Sequence, residues 1–381
     1  MRAASQPKPT ALRPGNRRVI QLNEGDPRWD AFVLTAPGTT AFHHSGWLAA
    51  LEREYGQRPV RLACEETDGS LSGVLPLMVT RGVPLGFGGA SAGQRLSSLP
   101  RTPVAGPLGT SPDVLRFLTR SAMDRAAAAG LRLQLKPLGT ALTDLVPGLR
   151  GHAWRVSYVK PLPDDPGQLR FGNSRNHGRI AWAVRKAERE RLRVRDATVE
   201  AELREWYRLY LDVNRWRGLP SRPYRFFQAA WEHLRPGGYL RLLLACREQS
   251  GREVVLAGAV VLMLGETAFY AFNGRMREAL QLRPNDLLQW HAMRAAITAG
   301  CRWYDFGEVE DGNEGLAGFK SKWGTETREL IRYHAPPLPA GSNGYRKPAG
   351  GERARTLALR AWRRVPLSVT ALAGDGVYRF L

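Results

Sequence analysis

Two stretches, RLACEETDGSLSGVLPLM (residues 61–78) and LLLACREQSGREVVLAGAVVLM (residues 242–263), share one pattern of apolar and polar residues. Each begins with an apolar run that ends near Ala-Cys. A polar turn containing Gly69 or Gly251 follows, and then a second apolar run. Short apolar runs on both sides of a glycine-containing turn predict a β-hairpin. The chain is therefore predicted to contain the same hairpin twice.

Each predicted hairpin is followed by a helix and a further strand. Ser111-Pro112 is typical of a helix start, and this helix is predicted to run to about Ala129. In the second half, Asn285 or Asp286 is predicted to cap a helix that runs to about Ala299. The segments LRLQLKP and CRWYDFG then read as strands. A repeated hairpin with a β-α-β unit predicts an α/β (α+β) fold, in which each of two domains has a mixed central sheet and flanking helices.

The domain limits follow from this repeat and from composition. We predict a disordered N-terminus at 1–18, a first domain at 19–155, a second domain at 156–335, a linker at 336–351 and a basic C-terminal helix or tail at 352–381. The linker is rich in proline and glycine. The C-terminal helix either lies on an acidic membrane surface or docks back on the domain.

The composition narrows the class of partner. In 381 residues, 56 Lys and Arg oppose 35 Asp and Glu, which gives a net charge of +21. This charge favours anionic partners such as phosphates, nucleic acid or acidic membrane, although a basic solvated surface has the same composition. The three cysteines form no CxxC motif, which predicts a reduced cytoplasmic chain with no metal site. No apolar run reaches the length of a membrane span.

Four motifs occur in a characteristic order between about residues 40 and 335. They are FHHSGWLAALEREYG, RNHGRIAWAVRKAERERL, LRPNDLLQWHAMRAAITAGCRWYDFG and FKSKWG. In this order the chain resembles the Fem-type (FemAB) aminoacyltransferases and the related BioF2-like acetyltransferase domains, a branch of the GNAT acyltransferases. The resemblance implies tandem GNAT-like domains.

The resemblance also implies an activity. An acyl group would pass from acyl-CoA or aminoacyl-tRNA, used as a co-substrate with no bound cofactor, to an amine of a peptidoglycan peptide or a polysaccharide amino sugar. The protein would work in the cytoplasm or at the inner face of the cytoplasmic membrane, in peripheral contact with acidic lipid, and without a DNA partner. The alternative is a tandem GNAT-like module without catalysis that binds RNA or an anionic glycan.

One segment departs from the GNAT pattern. The pyrophosphate loop of CoA-using members reads like Arg/Gln-x-x-Gly-x-Gly/Ala, whereas residues 282–287 here are LRPNDL. The glycines that let backbone amides approach a pyrophosphate are missing, which argues against ordinary acetyl-CoA binding. The start of the 285–299 helix, with Arg283, Asn285 and Asp286, is still a predicted donor-binding site, because free amides and the helix dipole favour an anion. The alternative is that the Asn-Asp pair only caps the helix.

The predicted catalytic residues come from two neighbouring segments. The resemblance carries the Phe-Lys pair of FKSKWG onto Phe319-Lys320, and Lys320 would polarise the donor carbonyl or hold the acyl group of the donor. As an extended strand, this segment would place Lys320 and Lys322 on the same side, and Lys322 is predicted to bind the donor. Asp305, Glu308 and Glu310 would follow a strand end at the mouth of a cleft and accept a proton from the acceptor amine. Asp305 has the alternative role of a buried structural acid.

The predicted acceptor and anion site uses two further pairs of residues. Arg175 and Arg179 are four apart, which would place both on one helix face that binds a phosphate group, or simply on a solvated face. Tyr270 and Asn273 lie in a predicted strand and would line the acceptor groove. The alternative for these two is a half-buried position in the sheet.

Overall fold

The structure is a computed structural model that describes residues 17–81, 94–310, 312–338, 356 and 359–378. Nearly all of the predicted disordered N-terminus and most of the predicted linker lie outside the described residues.

The strands of the described residues join into a single mixed sheet. They are β1 Arg18–Leu22, β2 Val60–Glu65, β3 Leu71–Thr80, β4 Arg95–Ser97, β5 Leu108–Gly109, β6 Arg132–Leu135, β7 Arg150–Pro161, β8 Arg193–Asp196, β9 Leu240–Gln249, β10 Arg252–Leu264, β11 Thr267–Arg275, β12 Trp303–Val309 and β13 Glu326–Ala335. Their order is β1-β2-β3-β4-β6-β13-β7-β12-β11-β10-β9-β8, and β5 pairs with β3 outside this path.

The helices pack on this sheet. They are α1 Pro27–Val33, α2 Ser45–Tyr55, α3 Pro112–Ala128, α4 His177–Arg189, α5 Glu200–Arg217, α6 Tyr224–Leu234, α7 Pro284–Thr298, α8 Glu314–Ser321 and α9 Leu367–Tyr378. Local sequence explains many of their ends. For example, the Ser111 side chain accepts a hydrogen bond from Val114 N at the start of α3, and Gly130 follows its end with φ 65°.

The predicted repeat is confirmed strand by strand. β2 and β3 form the first hairpin, and β9 and β10 form the second. α3 then connects the parallel pair β4 and β6, just as α7 connects the parallel pair β11 and β12. The predicted α/β fold with two similar halves, each with a mixed sheet, is therefore confirmed.

The two halves exchange strands at the centre of the sheet. β7 follows the first half in the chain but pairs with β12 of the second half. β13 follows the second half but pairs with β6 of the first. β7 and β13 also pair with each other over nearly their whole length. The predicted domain limit at residue 155 thus falls inside β7, a strand that the sheets of both halves share.

A common core also joins the halves. One cluster of buried side chains includes Trp47 and Leu51 of α2 together with Trp206 of α5 and Phe226 of α6. The rings of Trp47 and Phe226 meet edge to face, with their centroids 5.2 Å apart. Since α2 belongs to the first half and α6 to the second, the burial of these aromatic rings fixes one half against the other.

Two local predictions are wrong. FKSKWG is not a strand: Lys320 lies in the short helix α8, whose N-cap Asn313 accepts a hydrogen bond from Leu316 N. Neither Asn285 nor Asp286 caps α7, because the helix begins one residue earlier, at Pro284, and its N-cap is Arg283. Proline at the first helical position has a preset φ and needs no amide partner, which explains the earlier start.

The last helix of the described residues, α9, docks on the second half. It follows the basic segment 352–366 that is predicted to form a helix, so docking of that segment on the domain stays a prediction. α9 packs on α5, and a Cβ added to Gly374 of α9 would lie 2.2 Å from the carbonyl oxygen of Ser221. Glycine thus allows the backbone of α9 to approach the segment before α6 closely.

Candidate active site

A cleft opens where β11 and β12 separate. The two strands pair in parallel only over three positions, from Thr267 opposite Trp303 to Phe269 opposite Asp305. Beyond these pairs the strands diverge. The residues that follow, 270–273 of β11 and 306–308 of β12, line a cleft of about 660 Å³. Tyr270 and Asn273 line this cleft, and their role in holding an acceptor stays a prediction.

The cleft lies between the halves, and both contribute to its walls. β4, β6, α2 and the segment 100–104 line it from the first half, while β11, β12, α5 and α8 line it from the second. The exchanged strands β7 and β13 contribute Ser157 and Arg332, and α9 contributes Tyr378. A substrate in this cleft would contact both halves at once.

The walls of the cleft are strongly cationic. Among the described residues that line it, two carboxylates, Asp305 and Glu308, face eight cationic side chains: Arg95, Arg101, Lys136, Arg155, Arg217, Arg222, Lys320 and Arg332. Low-dielectric walls focus such a field, which draws anionic ligands into the cleft.

Lys320 is buried inside the cleft rather than exposed to bulk solvent. Its side chain is 6% exposed, and its Nζ donates to the carbonyl oxygens of Gly307 at 2.8 Å and Glu308 at 3.1 Å. α8 places Lys320 one turn after Leu316, so that both line the cleft. Burial lowers the pKa of Lys320 to about 8, while Asp305 and Glu308 act in the opposite direction. An ammonium has three N–H donors, so one remains for a ligand.

The bulge in β12 prepares the site that holds Lys320. The pairing of β12 with β7 shifts register between Asp305 and Glu308. Gly307 at this shift has φ 85°, a conformation that favours glycine, and its carbonyl accepts from Lys320. The bulge therefore turns two consecutive carbonyls toward the lysine.

Asp305 lies next to this bulge and is 4% exposed. It accepts hydrogen bonds from Ser157 Oγ and Gly307 N. Burial raises the pKa of Asp305 above its ordinary value, and these two hydrogen bonds oppose the rise. Asp305 is thus a buried acid with structural bonds that also lines the cleft beside Lys320. The two sequence interpretations of Asp305 are compatible.

The other predicted acids are held by one arginine. Glu308 accepts from Arg155 Nη1 at 2.8 Å, and Glu310 lies 3.4 Å from Arg155 Nη2. Of the two, Glu308 lines the cleft. Because Arg155 engages both glutamates, Asp305 is the better placed of the predicted acids to approach a substrate.

The predicted donor-binding residues lie elsewhere. Arg283, Asn285, Asp286 and Lys322 are not among the described residues that line the cleft. Lys322 Nζ instead donates to the buried Asp286 at 2.6 Å, which joins the end of α8 to the start of α7. The Arg283 guanidinium lies 5.4 Å from the centroid of the Trp182 ring. A carboxylate in the first turn of α7 opposes an anion there, so the donor role of these residues stays a prediction.

The predicted arginine pair is also outside the cleft. α4 begins at His177, so Arg175 precedes the helix and does not share a helix face with Arg179. The prediction of a common helix face is therefore wrong. Both arginines are exposed, and a role in binding an anion stays a prediction.

Sequence reasoning missed the cations that the first half and β13 contribute. Lys136 is 3% exposed, and its Nζ donates to the carbonyl oxygens of Leu99 and Thr102. Arg332 stacks over Trp154 with 3.4 Å between its guanidinium carbon and the ring centroid. Burial and the neighbouring Arg95 and Arg155 lower the pKa of Arg332 to about 9. The pairing of β13 with β6 brings these residues together, and no local pattern in the sequence signals that pairing.

Comparison with known protein families identifies the second half. Residues 174–321, which include Asp305 and Lys320, match the acetyltransferase (GNAT) domain. A segment of 97 residues is 29% identical to the lipid II:glycine glycyltransferase of Staphylococcus aureus and covers 24% of this chain and 23% of that protein. The match thus spans about a quarter of the length of the curated relatives.

Solved structures share the arrangement of both halves. A crystal structure of FemX superposes with a TM-score of 0.66 at 17% identity, over 84% of this chain and 97% of that chain. The structure of L-PGS from Bacillus licheniformis superposes with a TM-score of 0.55 at 14% identity, over 90% of this chain and 98% of that chain. At such identities the similarity shows the fold.

Proposed function

We propose that this chain, whose residues 174–321 match the acetyltransferase (GNAT) domain, is a Fem-type acyltransferase that transfers an aminoacyl group from an activated ester to an amine of an anionic cell-envelope precursor. One observation carries the proposal. The ammonium of Lys320 is held by two carbonyls inside a cationic cleft, beside the buried Asp305, with one N–H left for a substrate oxygen. A module that only binds RNA or glycan needs no such buried, oriented cation.

The transfer then follows from the geometry. The acceptor amine forms a bond to the donor carbonyl carbon, and the carbonyl oxygen becomes negatively charged. Lys320 donates a hydrogen bond to this oxygen, which stabilises the tetrahedral intermediate. The proton of the amine passes to Asp305 directly or through water. The ester C–O bond then breaks, and the leaving oxygen takes up the proton that Asp305 accepted, directly or through water, which restores the carboxylate. No enzyme thiol is needed, since all three cysteines are buried.

The charge on Lys320 gives a pH prediction. Its pKa of about 8 means that the ammonium is the main form below pH 8 and is lost above it. We expect the single-turnover rate of the wild type, divided by that of Lys320→Arg, to be flat at neutral pH and to fall by about tenfold per pH unit well above pH 8. The ratio of the two rates is used because the pH dependence of the acceptor amine affects both proteins equally and cancels. A ratio that stays constant up to pH 10 would mean that the charge of Lys320 does not assist transfer.

The donor is proposed to be an aminoacyl-tRNA rather than an acyl-CoA. Residues 282–287 lack the glycines of a pyrophosphate loop, and the first turn of α7 carries the Lys322-bound Asp286. Neither feature suits a CoA pyrophosphate at this helix start. The cationic cleft suits the acceptor end of a tRNA, whose phosphates bring negative charge to the site.

A two-donor assay tests the proposed function. An amine-bearing, phosphorylated muropeptide is incubated with the wild type and either charged tRNA or acetyl-CoA, and the mass of the peptide is measured. We expect the peptide to gain an aminoacyl group from charged tRNA. If the peptide is acetylated by acetyl-CoA and gains nothing from charged tRNA, the proposed donor is wrong and the donor is an acyl-CoA. No mass gain with either donor, together with tight RNA binding, would support the non-catalytic alternative.

The acceptor is proposed to bind through its anionic groups to Arg95 of β4 and Arg332 of β13. Because Arg332 is half-buried and has no ion pair with the described residues, a bound phosphate would supply one. We expect Arg332→Ala to raise the KM for a phosphorylated acceptor by about 10-fold, with a smaller change in kcat. Arg58→Ala, which removes an arginine whose side chain is 85% exposed and lies outside the cleft, is the matched control. Equal effects of the two variants would show that only net charge matters.

A further inference from the structure

The C-terminal helix α9 has two apolar faces, of which the described residues cover one. Thr370, Gly374 and Tyr378 face inward and are buried. Val369, Leu372, Ala373 and Gly376 follow the spacing i, i+3, i+4, i+7 on the opposite side. Asp375, the one charged residue of α9, pairs with Arg225. The outer stripe therefore has no charged side chain.

The outer stripe is open to solvent. Leu372 is 71% exposed, Val369 47% and Val377 42%. The exposure does not come from a loosely attached helix, because Gly374 lies against the backbone of Ser221 and Tyr378 is 5% exposed. A helix that is apolar on both sides is normally covered on both sides, which makes this stripe a candidate contact surface.

Arginines lie immediately before the apolar stripe. Residues 359–366, LRAWRRVP, contain Arg360, Arg363 and Arg364 and no acidic residue. Arg363 Nε donates to the carbonyl oxygen of Trp216 at 2.9 Å, which fixes this segment beside the end of α5. Trp216 is itself 40% exposed. An apolar stripe flanked by arginines and an exposed tryptophan has the composition of a surface that binds acidic lipid.

We propose that α9 and the basic segment before it dock this protein on an acidic phospholipid surface, with the outer stripe inserted between headgroups and the arginines bound to lipid phosphates. No helix of the described residues is long and apolar enough to cross a bilayer. A helix lying in the interface needs to bury only one face, by roughly 5–10 Å.

A second copy of the chain fits this surface poorly. A helix of 12 residues is about 18 Å long, so one face of it offers far less than the roughly 800 Å² that each partner buries in a stable protein interface. A twofold dimer would also bring the same arginines of both copies together, because each residue of such an interface meets its own symmetry-related region. Anionic lipid complements both the charge and the shape of the surface.

Docking through α9 would also orient the cleft. Tyr378 at the end of α9 lines the cleft, and the Arg101 guanidinium lies 4.9 Å from the centroid of its ring. The lipid-facing helix thus ends at the cleft wall, which would bring the cleft close to an acceptor carried by the membrane. This last step rests on the proposed function, whereas the docking itself does not.

Vesicle co-sedimentation of the full chain tests the docking. We expect the wild type to bind vesicles that contain phosphatidylglycerol much more tightly than pure phosphatidylcholine vesicles, and more weakly as salt is raised. Leu372→Glu should weaken binding by about 10-fold or more. Leu34→Glu is the control, since Leu34 is 44% exposed on the first half, away from α9, and should change binding less than about twofold.

Three results would overturn the docking. They are no binding of the wild type to phosphatidylglycerol vesicles, equal losses in the two variants, and a solution dimer that Leu372→Glu dissociates in analytical ultracentrifugation. An assay of acyl transfer to a soluble acceptor distinguishes a failure of the docking proposal from a failure of the proposed function. Leu372→Glu should match the wild type there, whereas a wild type that binds vesicles but transfers nothing would refute the function and leave the docking intact.

Discussion

Lys320→Ala is expected to lower kcat for acyl transfer by about 10²–10³-fold while the protein stays folded. The loss is this large because the ammonium contacts the oxygen that becomes charged in the transition state, in a cleft where water screens little of that charge. The KM for both substrates should change much less, since the contact strengthens only as the negative charge develops.

Lys322→Ala is the matched control for this prediction. Lys322 is two residues away and has the same side chain, but it pairs with Asp286 outside the cleft. We expect Lys322→Ala to keep kcat within about threefold of the wild type and to lose some stability, because Asp286 is left buried without its partner. Equal activity losses in both variants would show that the general charge of α8 matters and not the position of Lys320.

Arg222→Ala is expected to lower the free energy of unfolding by about 3–5 kcal/mol. Arg222 and Glu54 form an ion pair at 2.7 Å whose side chains are 3% and 0% exposed. Arg222 Nη2 also donates to the carbonyl oxygen of Arg101 at 2.6 Å. Truncation leaves the Glu54 carboxylate buried and uncompensated, and it removes a link between α2 of the first half and the segment before α6 of the second.

Urea unfolding compares the loss of stability in Arg222→Ala with the loss caused by breaking a solvent-exposed ion pair. Arg302 and Glu266 lie 3.5 Å apart with side chains 71% and 65% exposed, so Arg302→Ala should change stability by less than about 1 kcal/mol. Replacing the buried pair with Glu54→Leu and Arg222→Met together should recover most of the loss. The account of the interface between the halves fails if Arg222→Ala and Arg302→Ala unfold at the same urea concentration.

Sequence periodicity predicted the repeated elements because their signals are local. The glycine turns of the hairpins, Pro112 after an N-cap serine and the glycines after α3 and α7 each determine the conformation of a few neighbouring residues. The strand exchange depends instead on pairing between residues far apart in the chain, such as Tyr333 with Leu135. For this reason local sequence patterns could not predict the single sheet or the cationic side chains that the first half contributes to the cleft.

FKSKWG shows how a short alternation misleads. Five residues in which two lysines alternate with Phe, Ser and Trp fit a strand, but Leu316 and Lys320 also fit a helix at i and i+4. Asn313 followed by Glu314 is a helix-start signal that favours the second choice. The helix separates the two lysines: Lys320 enters the cleft and Lys322 turns to Asp286.

A structure with a bisubstrate phosphonate, in which a tetrahedral phosphorus joins the aminoacyl and acceptor groups, tests the central claim most directly. The account predicts that a phosphonate oxygen lies about 2.7–3.1 Å from Lys320 Nζ, with the acceptor nitrogen on the side of Asp305. A phosphonate bound with its oxygens directed away from Lys320, or bound outside the cleft between the halves, would contradict it.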